Sequence, residues 1–409
     1  MAGMTRRIGI IREGKVPPDR RVALTPDQCR TLLDRYPELD LTVQRSPDRA
    51  FTNDEYERAG IPLTDDLSDR DLIIGVKEVP IAQLLPGKTY LFFSHTIKKQ
   101  EHNRKLLKAV MDAGITLLDH ELLTNDEGRR VIAFGRWAGI VGAYNAFRAW
   151  QAAKGGPRLQ PAHQCHDREE MESELVNHPL PEDLRIVITG DGRVGQGAME
   201  VLDHAGIERV APSELAHGGS RGARYTVLET GDIYAREDGR PFDRSRFMKD
   251  PSGHQSAFGR WVTDADIYIA CHFWDPRGPK ILTRTMLDRP DRRLEVVADI
   301  SCDIDGPIDS TLRASTIAEP MYGYDPSSGK EVTTGTPGSV TVMAVDNLPC
   351  ELPRDASDSF GHDLVTQVFP ALLEGRGNAM VRRATIVLEG EPVGPYKSLK
   401  DWALGTPVV

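Results

Sequence analysis

At 409 residues the chain is too long for one compact core, and at roughly 150 residues per domain two domains are expected. A formal net charge of −10 argues against nucleic acid or anionic lipid as its main partner. No run approaches the ~18 consecutive apolar residues of a membrane span, residues 1–14 hold no signal-peptide core, and the five cysteines are scattered without CxxC spacing, so a soluble cytoplasmic protein with reduced thiols is expected.

Residues 7–14 (RIGIIREG) open as a strand, and VALTP ends at a turn before a helix beginning near Asp27. A second strand is expected over 41–44 and a short helix over 51–60. Three apolar strands then deliver polar side chains at their carboxyl ends. The strand over 71–76 delivers Lys77 and Glu78, that over 89–93 delivers Ser94 and His95, and that over 115–118 delivers Asp119, His120 and Glu121. A helix over 103–113 separates the last two. Such alternation implies parallel βαβ units, whose carboxyl edge is where open α/β sheets bind ligands.

Small and apolar residues over 133–153 predict a long buried helix leaving the first domain. The polar stretch 154–181 reads as a connection, and its His163, Cys165 and His166 read as a solvated loop rather than a metal site. It leads into LRIVITGDGRVGQGAMEVLDHAG, which has the form of a strand, a tight turn and a helix. Gly190 allows the bend, Gly192 lets backbone approach a pyrophosphate, and Gly195 lets helix and strand pack closely. Phosphates would then lie at the helix N-terminus beside Arg193 and Val194. A carboxylate for the adenosine ribose is expected about 20 residues past the first glycine, at Glu214 or else Glu208. An acidic group there favours NAD over NADP, although Arg221 and Arg224 are close enough in sequence to receive the extra phosphate.

A polar insertion is expected over 216–259, then buried strands over 267–270 and 296–300. Cys271, His272, Asp299, Ser301 and Asp303 end or follow those strands and could face the nicotinamide half; Asp299 and Asp303 could equally cap loops. Residues 358–373 are amphipathic enough to pack back on the N-terminal domain, and 383–389 form a late strand.

An enzyme passing hydride to or from an amino acid or imine must hold carboxylates and move protons on nitrogen. Arginine meets a carboxylate with two hydrogen bonds, and Arg20, Arg21, Arg129 and Arg130 flank strand ends. His95 is a natural acid–base group near neutral pH. Lys77 can share that task only if burial lowers its pKa, against the push of neighbouring Glu78.

The motifs RRVALTP, LIIGVKEVP, KTYLFFSHTIKKQEHN, GRRVIAFGRWAGIVGA, VVADISCDIDG and VDNLPCELPRDAS run in order from about residue 7 to 375. Together they resemble the lysine-forming saccharopine dehydrogenases and the lysine–2-oxoglutarate reductase domain of bifunctional lysine-degrading enzymes, within the alanine dehydrogenase and transhydrogenase superfamily. The resemblance implies that Lys77 and His95 form the acid–base pair and that Arg21 and Arg130 hold substrate carboxylates. It assigns Glu78 and Glu121 to the lysine amine and to tuning the pair. Asp346 falls near the cofactor, Asp303 where related enzymes place a catalytic or ribose-binding Asp, and Gly190 to Gly195 on the nucleotide loop. Val194 stands where fungal single-function enzymes carry a Cys. The insertion, with YTVLETGDIY and STIAEPMYGYD, looks more like the bifunctional reductase domain, which typically uses NADPH. No second dehydrogenase domain follows, so a monofunctional chain is expected.

The expected architecture is α/β, with two Rossmann-like domains of parallel sheets and a cleft between them. The catalytic domain is discontinuous, over 1–145 and 350–409, and the dinucleotide domain covers 146–349. The expected activity interconverts saccharopine with L-lysine and 2-oxoglutarate, using NAD or NADP with NAD favoured, in a monomer or homo-oligomer. The alternatives are an alanine-type or other opine-forming dehydrogenase, and a transhydrogenase-like NAD(H)-binding subunit.

Overall fold

A computed structural model describes residues 7–156, 159–216 and 222–405. The chain divides into two compact units, Met1–Ala133 with Pro353–Val409, and Phe134–Leu352.

In the first unit, short apolar runs form parallel strands at Arg7–Ile10, Asp40–Gln44, Leu63–Thr64, Leu72–Ile74, Thr89–Phe92 and Thr116–Asp119. Numbered along the chain, these six lie side by side in the order 3-2-1-4-5-6, so the sheet reverses direction of growth between Arg7–Ile10 and Leu72–Ile74. The helix Pro26–Arg35 starts where it does because Thr25 and Gln28 satisfy each other's main-chain N–H groups and proline occupies the first turn. The end of the chain completes this unit. Thr385–Leu388 adds an antiparallel strand beside Thr116–Asp119. The helix Pro353–Asp363 is tied down by Ser357 Oγ, which accepts from Val22 N at 2.9 Å, and by Arg354, which donates to Ala50 O at 2.8 Å and Glu55 Oε1 at 2.9 Å.

The second unit is built around the glycine-motif strand Arg185–Thr189. On one side of it lie Arg224–Leu228 and, at the edge, Glu208–Arg209; on the other lie Ile267–Ala270, Val296–Asp299 and Val340–Met343, all parallel. Met321–Asp325 and Lys330–Val332 close that side antiparallel. Two sequence expectations change. The stretch 216–259 is no simple insertion, because it carries the strand Arg224–Leu228, which pairs with the glycine-motif strand and whose short apolar run YTVL is outweighed by polar flanks. The rest of it holds a small hairpin, Tyr234–Arg236 with His254–Ser256, and the helix Arg244–Lys249. The stretch 154–181 contains the helix Arg168–Asn177, started by Asp167 accepting from Glu170 N at 3.0 Å. That helix buries only Met171 and Leu175, so it lacks the apolar stripe by which helices are read.

The long helix Gly135–Ala153 packs against the cofactor-loop helix Arg193–His204 with backbones nearly touching. A Cβ on Gly139 would stand 1.9 Å from Val194 O, and one on Gly197 1.9 Å from Arg136 O. This packing joins the helix to the second unit, and the unit boundary falls at Ala133/Phe134 rather than near 145.

Candidate active site

Three neighbouring parallel strands of the first unit bring Lys77, His95 and Glu121 to one sheet edge, since each residue follows the carboxyl end of its strand. His95 Nδ1 is hydrogen-bonded to Glu78 Oε1. The His95 backbone is left-handed, with φ 52°, a strained conformation for a non-glycine residue. Its neighbours hold it there: Ser94 N donates to Asp119 Oδ2 at 3.0 Å, Ser94 Oγ bonds the same carboxylate, and Phe93 stacks on the imidazole at 6.2 Å between centroids. Asp119 Oδ1 also accepts from Glu121 N at 2.7 Å. One buried carboxylate therefore fixes both the His95 turn and the Glu121 turn.

The electrostatics follow from burial and neighbours. Burial, then the positive charges of Arg21 and Lys15, lower the Lys77 pKa against the pull of Glu78 and Asp19, which resolves the balance left open by the sequence. For Glu78, burial is the largest single influence and opposes the charge, but the His95 hydrogen bond and charge, with Lys77 beside them, together outweigh it and keep the carboxyl below its usual value. Glu121 behaves similarly: burial raises its pKa, while Lys98 and Arg130 lower it further. Its Oε1 meets Lys98 Nζ at 3.0 Å and Arg130 Nη2 at 3.2 Å. Its Oε2 is buried with no hydrogen-bond partner among the described residues.

Other expected residues stand elsewhere. Arg21 is buried and paired bidentately with Asp19, Nε to Oδ1 at 3.0 Å and Nη2 to Oδ2 at 2.6 Å, so that face of its fork is taken by protein. Arg20 donates to Asp48 O at 3.3 Å and Arg129 pairs with Glu127 at 3.8 Å, both as exposed charges. His120 points into the core between Phe93 and Phe360, its Nε2 at 2.9 Å from Gly75 O; burial lowers its pKa to about 4 and keeps it neutral. Lys98 and Glu13 went unread in the sequence. Lys98 stands three residues past His95, a spacing that could have drawn attention to it. Glu13 follows the first strand with no motif around it.

In the second unit the glycine turn has the anticipated form. Gly190 has φ +90°, and a Cβ there would lie 2.6 Å from Cys271 O. A Cβ on Gly195 would lie 2.0 Å from Gly190 O, whereas one on Gly192 would meet nothing within 4 Å. Gly192 thus leaves the N-terminus of Arg193–His204 open to a phosphate, and that open cradle fits a dinucleotide. A cavity of about 590 Å³ extends from the turn, lined by Gly190, Gly192, Arg193, Val194 and Cys271, by Glu229, and by Tyr234, Phe247 and Phe273.

Glu214 does not line it. Its Oε2 accepts from Ala211 N at 3.1 Å within its own turn. A carboxylate for a ribose is expected after the strand next to the glycine-motif strand; that strand is Arg224–Leu228, and Glu229 follows it and lines the cavity. Counting along the chain missed this because the first strand reached after the cofactor helix, Glu208–Arg209, is an edge strand. Arg224 pairs with Arg185 at the amino end of its strand, opposite the glycine turn, and so cannot receive a phosphate there; Arg221 lies outside the described residues. Arg209 lines the cavity together with Glu229. Asp299 caps its loop, accepting from Ser301 N, Cys302 N and Thr311 Oγ1. Asp303 and Asp346 are exposed past strand ends, outside this cavity. Both lie close enough to Cys302 to help burial and Asp299 push its thiol up to about 12.

Residues 9–141 match the family model "Alanine dehydrogenase/PNT, N-terminal domain". A Neurospora crassa protein, saccharopine dehydrogenase [NAD(+), L-lysine-forming], is 30% identical over 371 residues, which cover 87% of this chain and 87% of that one. The chain belongs to the saccharopine dehydrogenase (L-lysine-forming) family. A member of this family is also similar to the Arabidopsis thaliana alpha-aminoadipic semialdehyde synthase, here at 30% identity over 95% of the chain. The chain spans 41% of that protein's length, less than half. Among solved structures, an L-alanine dehydrogenase superposes with a TM-score of 0.62 at 16% identity, covering 98% of this chain and 99% of the other, and shares its Rossmann-like α/β fold.

Proposed function

We propose that this chain catalyses the reversible, nicotinamide-dependent interconversion of saccharopine with L-lysine and 2-oxoglutarate. The observation that carries the reading is the His95–Glu78 pair standing on the same sheet edge as a Lys77 whose pKa burial has lowered. A bound nicotinamide would supply or accept hydride at the imine carbon. The chain's residues handle the protons. With Glu78 accepting from Nδ1–H, His95 presents Nε2 as a base, which takes a proton from the lysine amine as it adds to the keto carbon. Lys77, with its charge made costly by burial, gives and regains a proton at the carbinolamine oxygen as water leaves or returns. The buried Oε2 of Glu121 accepts from a substrate ammonium, which would satisfy an otherwise orphaned acceptor. Arg130 is assigned to a substrate carboxylate, with buried Arg21 adding positive potential to the same edge.

NAD is the proposed cofactor, because the Glu229 carboxylate can accept from the ribose 2′-OH and repels a 2′-phosphate. Purified protein is assayed for oxidation of NADH and NADPH with 2-oxoglutarate plus lysine and with pyruvate plus ammonia. Lysine-dependent oxidation of NADH supports the reading. Turnover with pyruvate and ammonia but not with lysine overturns the substrate assignment, and a preference for NADPH shifts cofactor choice from Glu229 to Arg209.

A further inference from the structure

Where Lys77 leaves the sheet, the main chain loses its neighbouring strand. Ile11 N still donates to Ile74 O at 3.0 Å, but the first strand's chain then turns away, so the next amides of the Lys77 segment have no ladder partner on that side. This is the point where the sheet reverses, the crevice in which doubly wound sheets hold ligands. In this unit the protein fills it with Glu13, whose Oε1 accepts from Val76 N at 2.7 Å and whose Oε2 accepts from Lys77 N at 2.8 Å. The remaining groups of the segment are also engaged: Gly75 N donates to Leu91 O and Val76 O accepts from Phe93 N, both at 3.0 Å, and His120 Nε2 meets Gly75 O. Close packing holds Glu13 in place. A Cβ on Gly14 would stand 2.6 Å from Pro80 Cγ, and one on Gly75 would stand 3.4 Å from Glu13 Oε1.

We propose that Glu13 is a positioning residue for Lys77, a two-oxygen seat that fixes the backbone of residues 76 and 77 and so the direction in which the Lys77 ammonium leaves the sheet edge. The inference rests on the reading of Lys77 as a proton carrier. A carboxylate is suited to the place because it offers an acceptor to each of two adjacent amides, whereas glutamine would turn a donor toward one of them. Accepting from both amides needs the ionised form, and burial and the nearby Asp19 push the Glu13 carboxyl up to about 8, against the two backbone hydrogen bonds and Arg21, so that below that pH a proton competes with the amides for one of the two oxygens. The nearby charged groups are Asp19, Arg21 and Lys77 itself, with Lys15 and Glu78 next to the lysine.

The full chain is compared with Glu13→Gln, Glu13→Asp and Lys77→Met for lysine-dependent NADH oxidation across pH, with NADH binding and thermal midpoint measured alongside. Glu13→Gln should lower kcat by on the order of 10- to 100-fold, the scale of a small misplacement of a reacting group, and change the pH profile of kcat while NADH affinity stays within about twofold. Glu13→Asp, which keeps both carboxyl oxygens on a shorter arm, should recover part of that loss. If Glu13→Gln does not fold, a fall in kcat for Glu13→Asp at unchanged NADH affinity carries the same meaning. Wild-type kcat and pH profile in the folded Glu13 variants, with only a lowered thermal midpoint, would make Glu13 structural and overturn the inference alone. Wild-type activity in Lys77→Met would instead overturn the reading of Lys77, and this inference with it.

Discussion

At the scale of single residues, what decides each role is the partner that folding supplies. Lys77 and His95 were legible because each follows an apolar run, and polar residues in that place lie on the ligand edge of a parallel sheet. Glu13 was not legible, because its role lies in accepting from main-chain amides more than 60 residues away, which no side-chain motif records. Arg21 looked available for substrate, yet Asp19, only two residues earlier, takes one face of its fork. His120 stands beside the site in sequence but in the core in space, and its burial has a measurable consequence. Its pKa falls from 6.5 to about 4 on folding, so the folded state binds the proton less well than the unfolded chain. That contribution to stability is fully present above pH 6.5 and is lost as pH falls toward 4, to an extent on the order of 3 kcal/mol. Urea unfolding at pH 7 and pH 4.5 should show His120→Asn losing less stability on acidification than wild type; equal losses would contradict the assignment. Glu229→Ala should reduce discrimination between NADH and NADPH by about tenfold or more, the worth of a hydrogen bond to a charged group, as measured by the ratio of kcat/KM values.

At the scale of elements, short and strongly patterned segments were the readable ones. The glycine-motif strand, its turn and the helix Arg193–His204 carry apolar periodicity and glycines in fixed places. The strand Arg224–Leu228 was hidden in a polar stretch, and with it the Glu229 carboxylate that lines the cavity. The helix Arg168–Asn177 was hidden because it is polar nearly all round. The small residues of Gly135–Ala153 signalled burial but not the partner, which the packing of Gly139 and Gly197 identifies as the cofactor-loop helix. Gly139→Ala forces a methyl group against Val194 O. It should destabilise the protein by roughly 1–3 kcal/mol and, by displacing the helix that follows the glycine turn, weaken NADH binding; calorimetric titration and thermal unfolding together check this.

At the scale of the whole molecule, the two units carry complementary halves of the proposed chemistry. One has an open glycine turn and a cavity, the other an edge bearing the His95–Glu78 pair, a lysine of lowered pKa and a buried carboxylate oxygen with no hydrogen-bond partner among the described residues. The proposed reaction needs both halves, and proton transfer at the amine nitrogen and at the carbinolamine oxygen is what the first unit must contribute. The most direct test is the turnover of wild type, His95→Gln and Lys77→Met with NADH, 2-oxoglutarate and lysine, with NADH affinity determined for each. The account predicts that each substitution lowers kcat by roughly 10²- to 10⁴-fold, the usual contribution of a positioned acid or base, while NADH affinity stays within about twofold. Variants that turn over at the wild-type rate would contradict it.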